Sequence, residues 1–217
     1  MINLKHAFPG SDSFEKNYSQ VGQDLLVLGL LNGKRNGLYL EIGIQFPEYI
    51  SNTVLLERNF DWRGVSVDIV PQYVDDFRAV RKNHAEVHDA RTVNYVELLH
   101  RAGITETDLD YASVDCEPPS NTLAALLQLP LDTHRFAVIT FEHDIYSTND
   151  NRVRTQSRNY LKSQGYELLI SDISAEGTHM PFEDWWVHPA LVPAEVRDRF
   201  RNVSEGAKSW PSQLLLS

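Results

Sequence analysis

Residues 38–44 read LYLEIGI and residues 64–70 read GVSVDIV. Each is a short apolar run of strand length, and the stretch between them, residues 51–59, has helical character. Two buried strands joined through a helix make a right-handed crossover, the repeating unit of a parallel sheet.

The alternation continues outward. Residues 85–90 form a weaker third strand, 111–116 a fourth, and 136–141 (FAVITF) a fifth and the most strand-like. Helices are expected at 19–31 ahead of the first strand and at 71–80, 93–102, 120–128 and 152–164 between the others. Pro71 opens one of them, as proline at a first helical turn often does. Residues 166–173 (YELLISDI) and 182–188 (FEDWWVH) are two more strands with only a loop between them, so they are expected to pair as an antiparallel hairpin. The sum is an α/β, Rossmann-like, doubly wound and mostly parallel seven-stranded sheet with an antiparallel last strand. A single domain over residues 1–217 is expected, with an arm at 1–17, the core at 18–189 and a tail at 190–217.

Composition narrows the partners. The net charge of -10 argues against a general affinity for nucleic acid or anionic membrane, which need basic surfaces, though it leaves room for a local basic patch. The single cysteine, Cys116, fits a reducing compartment, and no leader or bilayer-length apolar run is seen, so cytoplasm is expected. The apolar finish Leu214-Leu215-Leu216 is read as docking on its own domain or on a second subunit of a homo-oligomer.

In an open parallel sheet, ligands collect at the carboxyl ends of the strands. The first strand ends Glu41-Ile42-Gly43-Ile44-Gln45, without the G-x-G-x-x-G cradle that a dinucleotide diphosphate needs. Carboxylates there would repel phosphates but tolerate S-adenosylmethionine, which carries an ammonium and a sulfonium. Asp68, ending the second strand, is placed for ribose hydroxyls, and Asp89-Ala90, ending the third, for an adenine amino group.

Several segments in order resemble the FkbM-type methyltransferases: SQVGQDLLVL, GLYLEIG, SNTVLLERNFDWRGVSVD, YASVDCE, ITFEHD and SRNYLKSQGYELLISD with FEDWWVHP. The resemblance runs from about Tyr18 to Pro189. It implies a class I fold, S-adenosylmethionine as cofactor, and O-methylation of a hydroxyl on a small molecule or glycan. Glu41 and Gly43 would flank the methionine part, Asp68 the ribose and Asp89 the adenine, with Ser51, Asn52 and Thr53 shaping the pocket. Family members often carry G-A-x-x-G where this chain has Gly43-Ile44-Gln45-Phe46-Pro47.

Chemistry is expected at Asp115-Cys116-Glu117 and Glu142-His143-Asp144, after the fourth and fifth strands. One reading is a divalent site, Mg²⁺ or similar, held by Asp115 and Glu142 with Asp144 or His143, which would lower the pKa of a bound hydroxyl. A second makes His143 the general base, oriented by Glu142 or Asp115. A third leaves Glu142 and Asp144 solvating a loop. At most one of Trp185 and Trp186 could stack on a sugar, the other packing in the core, because strand neighbours face opposite ways. Tyr18, Gln20 and Gln23 are read either as a lid or as surface polarity. Two rivals stand beside the methyltransferase: a nicotinamide-dependent oxidoreductase, and a non-catalytic nucleoside- or partner-binding relative.

Overall fold

The computed structural model describes residues 2–148, 150–203 and 210–217; positions 204–209 of the expected tail lie outside the described residues. Seven strands are formed: β1 (Leu38–Ile42), β2 (Arg63–Asp68), β3 (His84–Val87), β4 (Asp108–Val114), β5 (Arg135–Glu142), β6 (Glu167–Ser174) and β7 (Pro181–Val187). They lie in one sheet in the order β3-β2-β1-β4-β5-β7-β6. β1 through β5 pair in parallel, and β7 runs antiparallel between β5 and β6. This is the Rossmann-like methyltransferase arrangement that the alternation of strands and helices implies.

The helices are α1 (Gln23–Leu30), α2 (Val54–Phe60), α3 (Pro71–Val80), α4 (Tyr95–Arg101), α5 (Pro119–Gln128), α6 (Ile145–Thr148), α7 (Arg152–Ser163), α8 (Ala194–Phe200) and α9 (Pro211–Leu215). α1 starts later than periodicity suggests because Gly22 sits in the left-handed region, φ 84°, which breaks the helix before Gln23. The single turn α6 is too short to carry a periodic signal.

Strand alternation splits the core between the two faces of the sheet. Tyr39, Tyr111 and Trp185 join one apolar cluster; Leu40, Ala112 and Trp186 join the other. Both tryptophans are fully buried, so neither is a sugar platform. The chain ends meet: Leu4 bridges Leu216, the Lys5 amide donates to the Leu215 carbonyl at 2.8 Å, and Leu215 is buried against Gly22. The apolar finish thus docks on its own domain. No helix among the described residues is long and apolar enough to cross a membrane.

The register decides where ligands can sit. Ile42 lies between Val67 of β2 and Val114 of β4, so Gly43, Asp68 and Asp115 leave the sheet side by side. The winding reverses between β1 and β4, which opens a crevice at this edge.

Candidate active site

A cavity of about 430 Å³ occupies that crevice, within the size range of small-molecule sites. Glu41, Gly43, Ser51, Asp68, Asp89 and Ala90 all line it, together with Asp115 and Glu142. Gln20 and Gln23 close one side from the segment that enters α1, while Tyr18 is not among the lining residues.

The turn after β1 is fixed by contact rather than by a phosphate. Gly43 has φ 90°, and a Cβ there would lie 1.7 Å from the Asp115 carbonyl oxygen. Asp68 holds the residues beyond it: Oδ2 accepts from the Ile44 amide at 2.9 Å and the Gln45 amide at 3.4 Å, and Oδ1 accepts from the Val70 amide. Gln45 and Ile50 are both left-handed without being glycines, so the connection from β1 to α2 is a held loop.

Glu41 is knit into the wall. Thr53 Oγ1 donates to one of its oxygens at 2.9 Å and Ser66 Oγ to the other at 2.6 Å. Burial pushes its carboxyl up, and the nearby Arg81 guanidinium pulls it back. Arg81, itself buried, donates to Thr53 Oγ1, to Glu57 and to the Pro47 carbonyl, tying the end of α3 to the loop. Nothing in the sequence pattern singles out Arg81, because its partners are distant along the chain. Asn52 spends its amide nitrogen on Ser113 Oγ at 2.9 Å, which leaves Oδ1 buried without a partner on the cavity wall.

At the opposite end, Arg91 clasps Asp89 through two contacts of 2.9 and 2.6 Å. That guanidinium holds the Asp89 carboxyl at about 2. The carboxylate expected to face an adenine amino group is therefore already paired. Ala90 keeps its place on the wall, and its carbonyl accepts from the Tyr95 hydroxyl at 2.8 Å.

The ends of β4 and β5 bring Asp115, Glu117, Glu142 and Asp144 together. Burial, then the charges of Asp115 and Asp144, pushes Glu142 well above the usual carboxylate range. Burial likewise raises Asp115 and Glu117 and takes the Cys116 thiol up to about 12, so Cys116 lines the cavity as an inert thiol. Tyr146 stands over the same group; burial and the four carboxylates raise its phenol.

His143 is not part of this wall. Its ring is fully buried, with Nε2 at 3.6 Å from Asp184 Oδ1 and 3.8 Å from Asp172 Oδ1. Arg158 meets Asp184 at 2.7 Å and Asp172 at 3.1 Å, and Arg154 meets Asp172 at 2.6 Å. Strand alternation is the reason: Glu142 and His143 are chain neighbours, so only one can face the cavity. The expectation of His143 as a base oriented by Glu142 or Asp115 is corrected accordingly. The divalent set Asp115, Glu142 and Asp144 does not form either. Among the described residues, the group of three whose ligand atoms lie within 4.8 Å of one another is His143, Asp172 and Asp184. There two arginines already balance the two carboxylates.

Glu183, opposite Glu142 in the β5–β7 register, is a buried acid that no sequence pattern marks. Gln23 donates to it at 2.9 Å, and the Trp185 indole donates as well. Burial pushes its carboxyl up to about 8. A carboxyl raised in the fold stabilises the protein below its unfolded value and loses that contribution as pH rises through the folded one. Glu183→Gln is therefore expected to remove part of the stability loss between about pH 5 and 8, at most about 1.4 kcal/mol per pH unit. Urea midpoints of both proteins across that range check it; parallel curves would refute it.

No protein-family model matches the chain, and no curated protein matches it in sequence. Solved structures do match in fold. A candidate rRNA-methylase from Clostridium thermocellum superposes over 80% of this chain and 97% of its own, with TM-score 0.54 and 10% identity. TrmK from M. capricolum, in complex with the cofactor product S-adenosyl-homocysteine, covers 75% of this chain and 67% of its own, with TM-score 0.51 and 12% identity. At such identities the likeness is one of architecture, and that architecture is the class I methyltransferase sheet.

Proposed function

We propose that this chain is an S-adenosylmethionine-dependent methyltransferase that methylates a hydroxyl of a small molecule or glycan. The observation that carries the cofactor reading is the charge of the cavity: acids from five strand ends line it, at the strand edge where this fold binds ligands. A diphosphate would be repelled there, which argues against the nicotinamide reading. A ligand bearing a sulfonium and an ammonium fits, and the buried Asn52 Oδ1 is an acceptor awaiting a donor. The hydroxyl acceptor comes from the FkbM-type resemblance.

S-adenosylmethionine, when bound, supplies an electrophilic methyl group on a sulfonium. The chain's part is to hold and orient. Asn52 and the Gly43 turn would take the methionine end, Asp68 the ribose, and the Ala90 wall the adenine. Asp68 keeps free lone pairs beyond its three backbone bonds. Glu142 would accept the proton released by the acceptor oxygen. A carboxylate made more basic by burial and by Asp115 suits that role better than an ordinary one.

Calorimetry with S-adenosylhomocysteine and with NAD tests the reading: binding of the first alone is expected, and binding of NAD alone would sink it. Asp68→Ala, which also frees the Ile44 and Gln45 amides, is expected to weaken S-adenosylhomocysteine by about 1.4–3 kcal/mol, tenfold or more. Unchanged affinity in that titration would remove Asp68 from the site.

A further inference from the structure

We propose that Ser113 is a positioning residue for the cofactor: its hydroxyl anchors the Asn52 amide so that Oδ1 receives the ammonium of S-adenosylmethionine. This rests on the methyltransferase reading and adds to it how the site tells an amine-bearing cofactor from one without the amine.

Ser113 interrupts an apolar strand. Strands covered on both faces run almost continuously in apolar residues, and a hydroxyl buried there needs a partner. Ser113 is buried in β4, with Glu41 of β1 and Thr140 of β5 beside it in register and therefore on the same face of the sheet. Glu41 is already served by Thr53 and Ser66, one on each oxygen. The group that meets Ser113 Oγ is the Asn52 amide nitrogen, at 2.9 Å, brought in by the loop ahead of α2.

The direction of that bond sets which end of the amide is left over. Asn52 donates through Nδ2, so Ser113 Oγ accepts and its own proton is available to the Tyr111 hydroxyl, which also bonds Thr140 Oγ1 at 2.8 Å. With that proton engaged, turning the amide over would set two acceptors against each other. The buried hydroxyls of β4 and β5 thus fix the polarity of Asn52.

Oδ1 is the free end. It is buried without a hydrogen-bond partner, in a residue that lines the cavity together with Gly43 and Glu142. A pair that served packing alone would close at both ends, as Glu41 does between Thr53 and Ser66. Within the proposed pose, Asp68 takes the ribose hydroxyls and the adenine lies at the Ala90 wall. The cofactor's remaining donor is its ammonium. A neutral amide oxygen accepts from an ammonium in a charge-assisted bond, and an amide of the opposite polarity would repel it.

Calorimetry with S-adenosylhomocysteine and with its analogue bearing hydrogen in place of the amino group tests this. Wild-type protein is expected to prefer the amine-bearing ligand about tenfold or more. Ser113→Ala and Asn52→Ala should each cut that preference about fivefold or more, while the affinity for the analogue stays within about twofold. The double variant should lose no more than Asn52→Ala alone, because Ser113 acts through Asn52. Ser113→Ala removes a single oxygen from a small side chain, so it should fold even if the Asn52 variant does not. An undiminished preference in Ser113→Ala, an equal loss for both ligands, or additive losses in the double variant would overturn the inference. So would a wild-type protein that binds both ligands alike. Failure of S-adenosylhomocysteine itself to bind the wild type would instead sink the methyltransferase reading.

Discussion

Arg158→Met is expected to destabilise the protein by about 3–5 kcal/mol, the usual cost of removing one partner from a buried ion pair. Arg158 bridges Asp184, which is fully buried, and Asp172, and it joins α7 to the hairpin of β6 and β7. Without it, Asp184 keeps only the neighbouring His143 ring and its backbone donor, the Asp172 amide at 2.9 Å. Arg158→Lys should recover a minority of the loss, because an ammonium cannot make the paired contacts at 2.7 and 2.8 Å that the guanidinium makes. Urea unfolding at neutral pH measures both, and a loss under about 1 kcal/mol for the methionine variant would show that the network is solvated.

The same network sets an acid limit. Burial alone raises Asp184, but Arg158 and His143 outweigh it and hold the carboxyl below its ordinary range. Stability from such a group is present above its unfolded value and is lost as pH falls through the folded one. Wild-type protein should therefore lose stability in the acid range more steeply than Arg158→Met. Glu183 loses its contribution between about pH 5 and 8, so the two substitutions separate the acid range from the neutral range of the pH profile.

Gly43→Ala is the second large effect. The new methyl would stand 1.7 Å from the Asp115 carbonyl oxygen, in a left-handed conformation. Overpacking of this kind costs about 1–3 kcal/mol and the conformation about 1–2 more. A sum of about 3 kcal/mol corresponds to a fall of about 6–12 °C in Tm for a chain of this length. Because the methyl forces β1 and β4 apart where the cavity opens, S-adenosylhomocysteine binding should be lost as well. Differential scanning calorimetry and a binding titration check the two effects separately. A stable variant that binds normally would mean that the turn can relax.

The range of the interactions sets how much of the site is legible in the sequence. Glu41, Gly43, Asp68, Ala90 and Asp115 lie at or just past strand ends, and a strand end can be read from a local apolar run. Glu142 is legible as a cavity acid for the same reason. His143 is not, because the parity of a strand residue, into the cavity or away from it, depends on the register of β5 against β7. Arg81 and Arg158 give no local signal. A surface arginine and a buried one look alike until the partner element is in place.

The sequence by itself determines the class of sheet, the antiparallel pairing of its last two strands, and the absence of a phosphate cradle after the first strand. These depend on periodicity and on residue types a few positions apart. Tertiary structure decides the rest. Gly43 is required by the Asp115 carbonyl across the crevice rather than by a ligand. Four carboxylates from two strand ends meet. Each of these is a contact between segments that the chain brings together only when the sheet closes, and charge balance in particular can be summed only once the neighbours are known.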